Sequence, residues 1–168
     1  MKYDELHYER IDLDETKNNM SGLVKKFNEA KNADEQIDVI MKIDSFSRDY
    51  STYQSMASLN FSRNINDEDA KSEKEYYDSI TPDMTESYNL FDKALNASSF
   101  KKEISEKFGD TFLNQIELNL KTFDSKIKEM LKEEIDLKNE YTKLTAGAKI
   151  EFDGQEYNLA GLGPFHSD

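Results

Sequence analysis

The sequence contains no cysteine and no tryptophan, and its 168 residues include only two prolines and six glycines. Without cysteine the chain can form neither a disulfide nor a thiolate zinc site, which is compatible with a reducing compartment. Valine is scarce as well, with two residues, although β-branched side chains are enriched in large sheets. The composition therefore excludes a disulfide scaffold and favours helices over a large sheet.

The chain has fewer positively than negatively charged residues, and it has no long apolar run. The 22 lysine and arginine residues are outnumbered by 35 aspartate and glutamate residues, which gives a formal net charge of −13. This charge repels phosphate backbones, so we expect no nucleic acid partner. No apolar run approaches the roughly 20 residues of a membrane span, and the polar start is unlike a signal peptide. We therefore expect a cytoplasmic, soluble protein without a membrane partner.

Catalytic motifs are absent too. The chain has no His-Glu-x-x-His, no G-x-S-x-G elbow and no glycine-rich phosphate loop, and its two histidines, His7 and His166, lie near opposite ends. Acidic residues at helical spacing from Glu129 to Glu140 are interleaved with lysines, as is typical of a solvated helix face. The sequence thus predicts no catalytic residue, no metal ligand and no cofactor in this chain.

Helical periodicity is the dominant pattern that the sequence does contain. Two capping-box pairs, in which an aspartate or asparagine precedes a glutamate by three residues, start the first two helices. These pairs are Asp12 with Glu15 and Asn32 with Glu35. The predicted helices span about 13–31, 32–61, 66–95, 100–108, 110–122 and 124–146. Pro82 requires the third helix either to kink or to restart, and the sequence does not decide between the two. Residues 1–146 are thus predicted to form an all-α antiparallel bundle with long helices.

The last of these helices has the strongest apolar pattern. Asp124 can cap its start, and Gly147 stands where a left-handed residue commonly ends a helix. Nine apolar residues recur at threes and fours, which predicts a single stripe along one side. They are Phe123, Ile127, Met130, Leu131, Ile135, Leu137, Tyr141, Leu144 and Ala148.

A period of two replaces the helical period in residues 147–160. Two short apolar alternations flank Asp153-Gly154, a dipeptide that readily takes the two positive φ angles of a tight hairpin. The alternating residues are Ile150, Phe152, Tyr157 and Leu159. We expect a C-terminal hairpin of the same domain that docks its apolar face on the helices but stays less protected than the helix 124–146. Residues 161–168 are rich in glycine and read as a linker or a truncation point.

Tyrosines on the second and third predicted helices are the candidate binding residues. Amphipathic rings suit a groove that takes peptides of mixed sequence, so these side chains are candidates for the lining of a peptide channel. The candidates are Tyr50, Tyr53, Tyr76, Tyr77 and Tyr88. Packing between the two helices is the alternative interpretation, and a tyrosine at the edge of the stripe can serve both purposes.

Two blocks of the sequence resemble a known family. The run E-Y-x-K-L-x-A-x-A-x-I-x-F-x-G, followed by Y-N-L, occupies Glu140 to Leu159 and is preceded by L-K-T-F at Leu120 to Phe123. These residues resemble the end of the N-terminal helical region of the oligoendopeptidase F peptidases. The third helix adds a second block with the family's order of acidic and aromatic residues, namely Asp67, Glu68, Glu73, Tyr76, Tyr77, Asp78 and Pro82. The family often has R-H and D-T-x-D before this helix, whereas this chain has F-S-R-N-I-N at 61–66.

The resemblance implies a function that the residues alone do not. In these zinc enzymes the N-terminal helical region forms one wall of a channel that admits short peptides, and the zinc motif lies in a catalytic region further along the chain. The resemblance therefore implies a non-catalytic part of a zinc metallopeptidase, with the missing C-terminal catalytic region and short peptides as partners. A stand-alone helical interaction module, with tyrosine-rich faces binding a partner, is the alternative, and a self-sufficient enzyme ranks last.

Overall fold

The computed structural model describes residues 7–122 and 124–165 of the chain. Six α-helices are followed by a hairpin: α1 (Leu13–Glu29), α2 (Ala33–Arg63), α3 (Glu68–Asn96), α4 (Lys101–Phe108), α5 (Asp110–Thr122), α6 (Lys128–Ala146), β1 (Ile150–Phe152) and β2 (Gln155–Tyr157). Short 3₁₀ helices lie at Ser125–Ile127 and Ala160–Phe165. Phe123 and His166, which the sequence analysis singled out, lie outside the described residues. Within the described residues, none of the helices has the length and apolar character needed to cross a membrane.

Local capping fixes where the first three helices begin. The Asp12 carboxylate accepts a hydrogen bond from the Glu15 amide at 2.8 Å, and the Asn32 side chain accepts one from the Glu35 amide at 2.9 Å. Both pairs were predicted, because the Ncap side chain satisfies an amide that the first helical turn leaves free. The start of α3 was predicted two residues too early, at 66, because Asp67 is the N-cap and accepts from amides of the first turn, so the helix begins at Glu68.

Pro82 lies inside α3 and the helix continues through it from Glu68 to Asn96. The sequence left open whether the third helix restarts at Pro82, and the structure shows that it does not. Hydroxyl groups around the proline bond to backbone carbonyls of the preceding turn, with Thr81 bonded to the Tyr77 carbonyl at 2.7 Å and Thr85 to the Thr81 carbonyl at 2.9 Å. Bonds of this kind, from a threonine hydroxyl to the carbonyl four residues earlier, are often found where helices bend.

Helix α3 is the central element of the bundle, because α1, α2, α5 and α6 all pack against it. One core, which we call the aliphatic core, gathers apolar side chains from α1 to α5. Its buried residues are Met20, Phe27, Val39, Ile40, Ile43, Phe91, Leu95, Ile104 and Ile116. A second core towards the other end of α2 and α3 contains Tyr50, Ala57, Tyr77, Ile80 and Met84. The predicted antiparallel helical bundle is confirmed.

The predicted single stripe of α6 is wrong, because its apolar residues lie on two different faces. Leu131, Ile135 and Asn139, spaced by four residues, are half-buried on the side that faces α3. The large side chains Met130, Leu137, Tyr141 and Leu144 are between 59% and 74% exposed. Spacings of threes and fours occur within both sets, so periodicity could not separate them.

The hairpin forms as predicted, with an antiparallel register that pairs Ile150 with Tyr157 and Phe152 with Gln155. Asp153 and Gly154 have φ angles of 50° and 72°, so the two-residue turn is of the type expected for Asp-Gly. Gly147, in contrast, does not take the predicted left-handed conformation. Its φ is −86° and its amide donates to the Lys143 carbonyl, which closes α6 in the right-handed region.

The apolar face of the hairpin is not covered by the helices, contrary to expectation. Phe152 is 46% exposed and Leu159 is 50% exposed. The aromatic contacts of the hairpin come from the 3₁₀ helix that follows it, where the Phe165 ring lies 5.1 Å from Phe152 and 5.3 Å from Tyr157. The hairpin therefore packs mainly on the residues after it.

Candidate functional site: the tyrosine cluster

Five tyrosines meet where the extended segment 7–12 crosses α2 and α3, and we call Tyr8, Tyr50, Tyr53, Tyr76 and Tyr77 the tyrosine cluster. The ring centroids of Tyr76 and Tyr77 are 5.6 Å apart, and those of Tyr50 and Tyr77 are 5.9 Å apart. Tyr8 packs edge-on against Tyr53 at 5.9 Å. These distances are typical of aromatic pairs in protein interiors. The cluster thus joins the start of the chain to the two longest helices.

The sequence-predicted channel residues differ in their exposure. Tyr77 is 1% exposed and Tyr50 is 6% exposed, so both rings belong to the second core, as the packing interpretation expects. Tyr53, Tyr76 and Tyr88 are half-buried, and the structure brings Tyr53 and Tyr76 to the edge of the cluster. A role of any of the five in lining a peptide channel stays a prediction.

Glu73 fastens the segment 7–12 to α3. Its carboxylate accepts a short hydrogen bond from the Tyr8 hydroxyl and forms a two-atom contact with the Arg10 guanidinium at 3.1 and 2.7 Å. The Arg10 guanidinium carbon also lies 4.4 Å from the centre of the Tyr76 ring. An arginine that pairs through two nitrogens and stacks on a ring holds a defined orientation.

Two further hydroxyls anchor the backbone of the same segment. Tyr76 donates to the Ile11 carbonyl at 2.5 Å, and Tyr77 donates to the Glu9 carbonyl at 3.3 Å. A backbone carbonyl in an extended segment outside a sheet faces no amide donor of a neighbouring strand, so a side-chain hydroxyl can donate the hydrogen bond instead. The segment 7–12 is therefore held on α3 through its backbone as well as its side chains.

The sequence analysis missed Arg10 and gave Glu73 only as part of the family-like block of the third helix. The only signal for Arg10 was its rarity, since it is one of three arginines in an acidic chain. The contacts of Glu73 could not be found from the sequence, because its partners are more than 60 positions away.

Burial favours the protonated hydroxyl at four tyrosines of the cluster, namely Tyr8, Tyr50, Tyr76 and Tyr77. Burial is the largest cause that raises the pKa above the ordinary value of 10.0 at Tyr50, Tyr76 and Tyr77. At Tyr8 burial again raises the pKa most, and the hydrogen bond with Glu73 raises it further. A general acid or base works best when its pKa lies near the working pH. These four hydroxyls are therefore suited to hydrogen bonding and are poorly matched to act as a general base near neutral pH.

A polar cavity of about 490 Å³ opens beside the cluster. It is lined by Tyr8 and Glu73, by Asn60 and Arg63 near the end of α2, and by Asp67, which caps α3. Backbone amides and charged termini of a short peptide are groups that such a mixed polar lining can bind.

No metal-binding group is formed by residues 7–122 and 124–165, in which no three histidine, cysteine, aspartate or glutamate side chains are arranged to hold an ion. His7 lies 3.5 Å from Glu9 and is exposed. The resemblance places the zinc in a catalytic region further along the chain, and no zinc ligand is assigned among the described residues.

Comparison with known proteins identifies the family. The model of the Peptidase M3 N-terminal domain matches residues 3–123, which is more than half of the chain. None of the curated proteins is similar enough to this chain to count as a relative.

Solved structures of longer proteins match nearly the whole chain. PZ peptidase A with inhibitor 2 is 34% identical over 98% of this chain, with a TM-score of 0.92, and the match covers 29% of that protein. A 3.1 Å structure of a protein named oligoendopeptidase F has the same identity, TM-score and coverage. A protein of the same name from Bacillus anthracis strain Ames is 30% identical over 98% of this chain, with a TM-score of 0.92 and 30% of that protein covered.

The chain thus spans less than a third of the length of the proteins that it matches. Sequence and structure agree over almost all of its residues, and the predicted family resemblance is confirmed. The chain belongs to the Peptidase M3 N-terminal domain family and corresponds to the N-terminal region of an oligoendopeptidase F-like peptidase.

Proposed function

We propose that this chain is the non-catalytic N-terminal part of a zinc metallopeptidase and forms one wall of the channel that admits short peptides. The observation that carries the proposal is the match of 98% of the chain, at 34% identity, to 29% of PZ peptidase A. A region of that size without a metal-binding group among its described residues fits a substrate-enclosing role beside a separate catalytic region. A cytoplasmic location belongs to the same proposal.

The tyrosine cluster and its neighbouring cavity are the part of this chain best suited to contact a peptide. Tyr53 lies at the edge of the cluster, half-buried and packed edge-on against Tyr8. An aromatic ring presents an apolar face to a side chain while its hydroxyl can bond to a peptide backbone. This combination suits a channel that accepts mixed sequences.

Zinc analysis and cleavage assays test whether catalysis requires the part of the peptidase outside this chain. The purified 168-residue protein should bind no stoichiometric zinc and should not cleave quenched fluorescent peptides. The longer gene product should contain zinc and cleave such peptides in a chelator-sensitive way. Chelator-sensitive cleavage by the 168-residue protein alone, or an inactive zinc-free longer product, contradicts the proposal.

Kinetics of the longer enzyme test the role of Tyr53. Tyr53→Phe keeps the ring contact with Tyr8 and removes the hydroxyl, so KM for peptides should rise by about two- to tenfold, the equivalent of one hydrogen bond, with kcat retained. Ser55→Ala removes an exposed hydroxyl from the same helix, α2, and is the matched control, with both constants unchanged. An unchanged KM in Tyr53→Phe would remove this tyrosine from the proposed wall.

A further inference from the structure

Helix α6 carries an exposed row of large apolar side chains, which we call the apolar stripe: Met130, Leu137, Tyr141 and Leu144. Their exposed fractions are 66%, 59%, 68% and 74%. Successive helical residues are rotated by about 100°, so positions separated by 7, 11 and 14 residues return to nearly the same side. The four side chains therefore form one continuous line along almost the full length of α6.

The opposite side of α6 is the one attached to the bundle. Asn139 bonds to Lys74 and Asp78 of α3, each at 2.6 Å. Leu131 and Ile135 are half-buried on the same side. Since Asn139 is about half a turn away from the apolar stripe, the stripe points away from α3. Among the side chains described along α6, none is buried.

Single exposed apolar residues are normal on protein surfaces, but a contiguous line of them marks an interaction site. The stripe has the spacing of an amphipathic helix that packs its apolar side into a groove or onto another helix. Its position on a helix attached by its other face means that α6 can bridge two bodies.

Charge decides between a second copy of the chain and a different partner. Glu133 and Glu140 border one side of the apolar stripe, and the other side is bordered by Glu134, which is paired with Lys138 at 2.5 Å. A second copy would bring the same acidic border and a further net charge of −13. Like charges opposed across an interface disfavour association, so a partner with basic residues around an apolar face is the complementary one.

We propose that the apolar stripe of α6 docks onto the remaining part of the peptidase, at an apolar surface bordered by lysine or arginine. This inference rests on the proposed function, and the matched proteins are more than three times as long as the segment that they share with this chain. The stripe then becomes an interdomain contact that fixes α6 between the helical bundle and the catalytic region.

Thiol labelling measures this contact directly, because the 168 residues contain no cysteine. Leu137→Cys places a probe in the stripe, and Leu59→Cys on α2 and Leu118→Cys on α5 are matched controls at leucines that are 48% and 53% exposed. The rate of maleimide labelling is followed by mass spectrometry in the 168-residue protein and in the longer peptidase. We expect labelling of Leu137→Cys to slow at least tenfold in the longer protein, and more than that of either control.

Two results would overturn the docking proposal. The first is equal labelling of Leu137→Cys in both proteins while the longer one cleaves peptides, which leaves the proposed function intact. The second is slow, concentration-dependent labelling in the 168-residue protein, which identifies a second copy as the occupant. Protection of Leu137→Cys in a longer product that cleaves no peptide would support docking and contradict the proposed function.

A charge substitution gives an independent readout. Leu137→Glu should leave the Tm of the 168-residue protein unchanged, because the side chain is exposed there, and should lower the Tm of the longer peptidase. If Leu137→Glu lowered the Tm of the isolated 168-residue protein, the stripe would pack within this chain, and the proposal would be overturned.

Discussion

The ammonium group of Lys74 donates to the amide oxygen of Asn139 at 2.6 Å and thereby joins α3 to α6. The same ammonium lies 2.6 Å from a carboxylate oxygen of Asp78, which also accepts a hydrogen bond from the Asn139 amide nitrogen at 2.6 Å. The three side chains close a ring of hydrogen bonds. Because Lys74 and Asp78 are 16% and 21% exposed, this ring is shielded from water and its bonds are stronger than those of a surface pair.

Asn139→Ala should loosen α6 from the bundle. The substitution removes two hydrogen bonds to charged groups, and we expect the free energy of unfolding to fall by about 1–3 kcal/mol. Amide exchange along α6 should accelerate more than exchange along α3. Lys138→Ala is the control, since its exposed pair with Glu134 contributes at most about 1 kcal/mol. Equal effects of the two substitutions would show that the ring does not hold α6.

Asp92→Asn should stabilise the protein at neutral pH and have little effect in acid. Asp92 is 7% exposed, and burial raises the pKa of its carboxyl above the ordinary value of 3.8, while the hydrogen bond from Asn119 lowers it by a smaller amount. A raised folded-state pKa means that the fold prefers the protonated acid, so stability is lost as the pH rises from near 3.8 through the folded pKa. Asparagine removes that loss.

Thermal unfolding at several pH values checks this prediction. The Tm difference between Asp92→Asn and the unsubstituted protein should be small at pH 3 and should grow to a constant positive value by pH 7. Asp38→Asn, at an exposed position on α2, is the control and should show no such growth. A difference that is largest in acid would reverse the assigned direction of the pKa shift.

The helix starts and the hairpin turn were predictable because their determinants are local. Asp12 and Asn32 each bond to an amide three residues ahead, and Asp153-Gly154 takes its two positive φ angles within one turn. A capping side chain and a glycine act through the residues next to them. Such signals can be recognised in the sequence without knowledge of the tertiary fold.

The sequence could not predict which face of α6 packs on α3 or how segment 7–12 is anchored, because both depend on distant residues. Asn139 is directed towards α3 by Lys74, which lies 65 positions earlier, and Tyr8 is held by Glu73 at the same separation. Apolar residues on two faces of a helix give the same spacings as one broad stripe, so the choice of the buried face needs the partner helix. The burial of Tyr50 and Tyr77 was left open for the same reason.

Tyr88→Phe should leave stability unchanged or raise it by about 1 kcal/mol. The hydroxyl oxygen of Tyr88 is buried and has no hydrogen-bond partner among the described residues. Burial raises the pKa of this hydroxyl, and the nearby Ser47 lowers it by a smaller amount. Burying an unpaired hydroxyl costs free energy that phenylalanine avoids. Tyr76→Phe is the contrasting substitution and should destabilise, because it removes the bond to the Ile11 carbonyl. Chemical denaturation of both variants compares them, and a destabilised Tyr88→Phe would indicate that Ser47 does bond to this hydroxyl.

The most damaging single truncation in the aliphatic core should be at Phe27. Its side chain is fully buried, with 0% exposure, and its ring centroid lies 5.5 Å from that of Phe91 in an edge-on arrangement. Phe27→Ala therefore removes a whole ring from a close-packed site and should destabilise by about 3–5 kcal/mol. Phe46 on α2 is half-buried and packs against both cores, so Phe46→Ala should cost less. Urea unfolding with an unchanged m-value measures both losses. A larger loss for Phe46→Ala would mean that the junction between the cores, and not the aliphatic core, holds the bundle together.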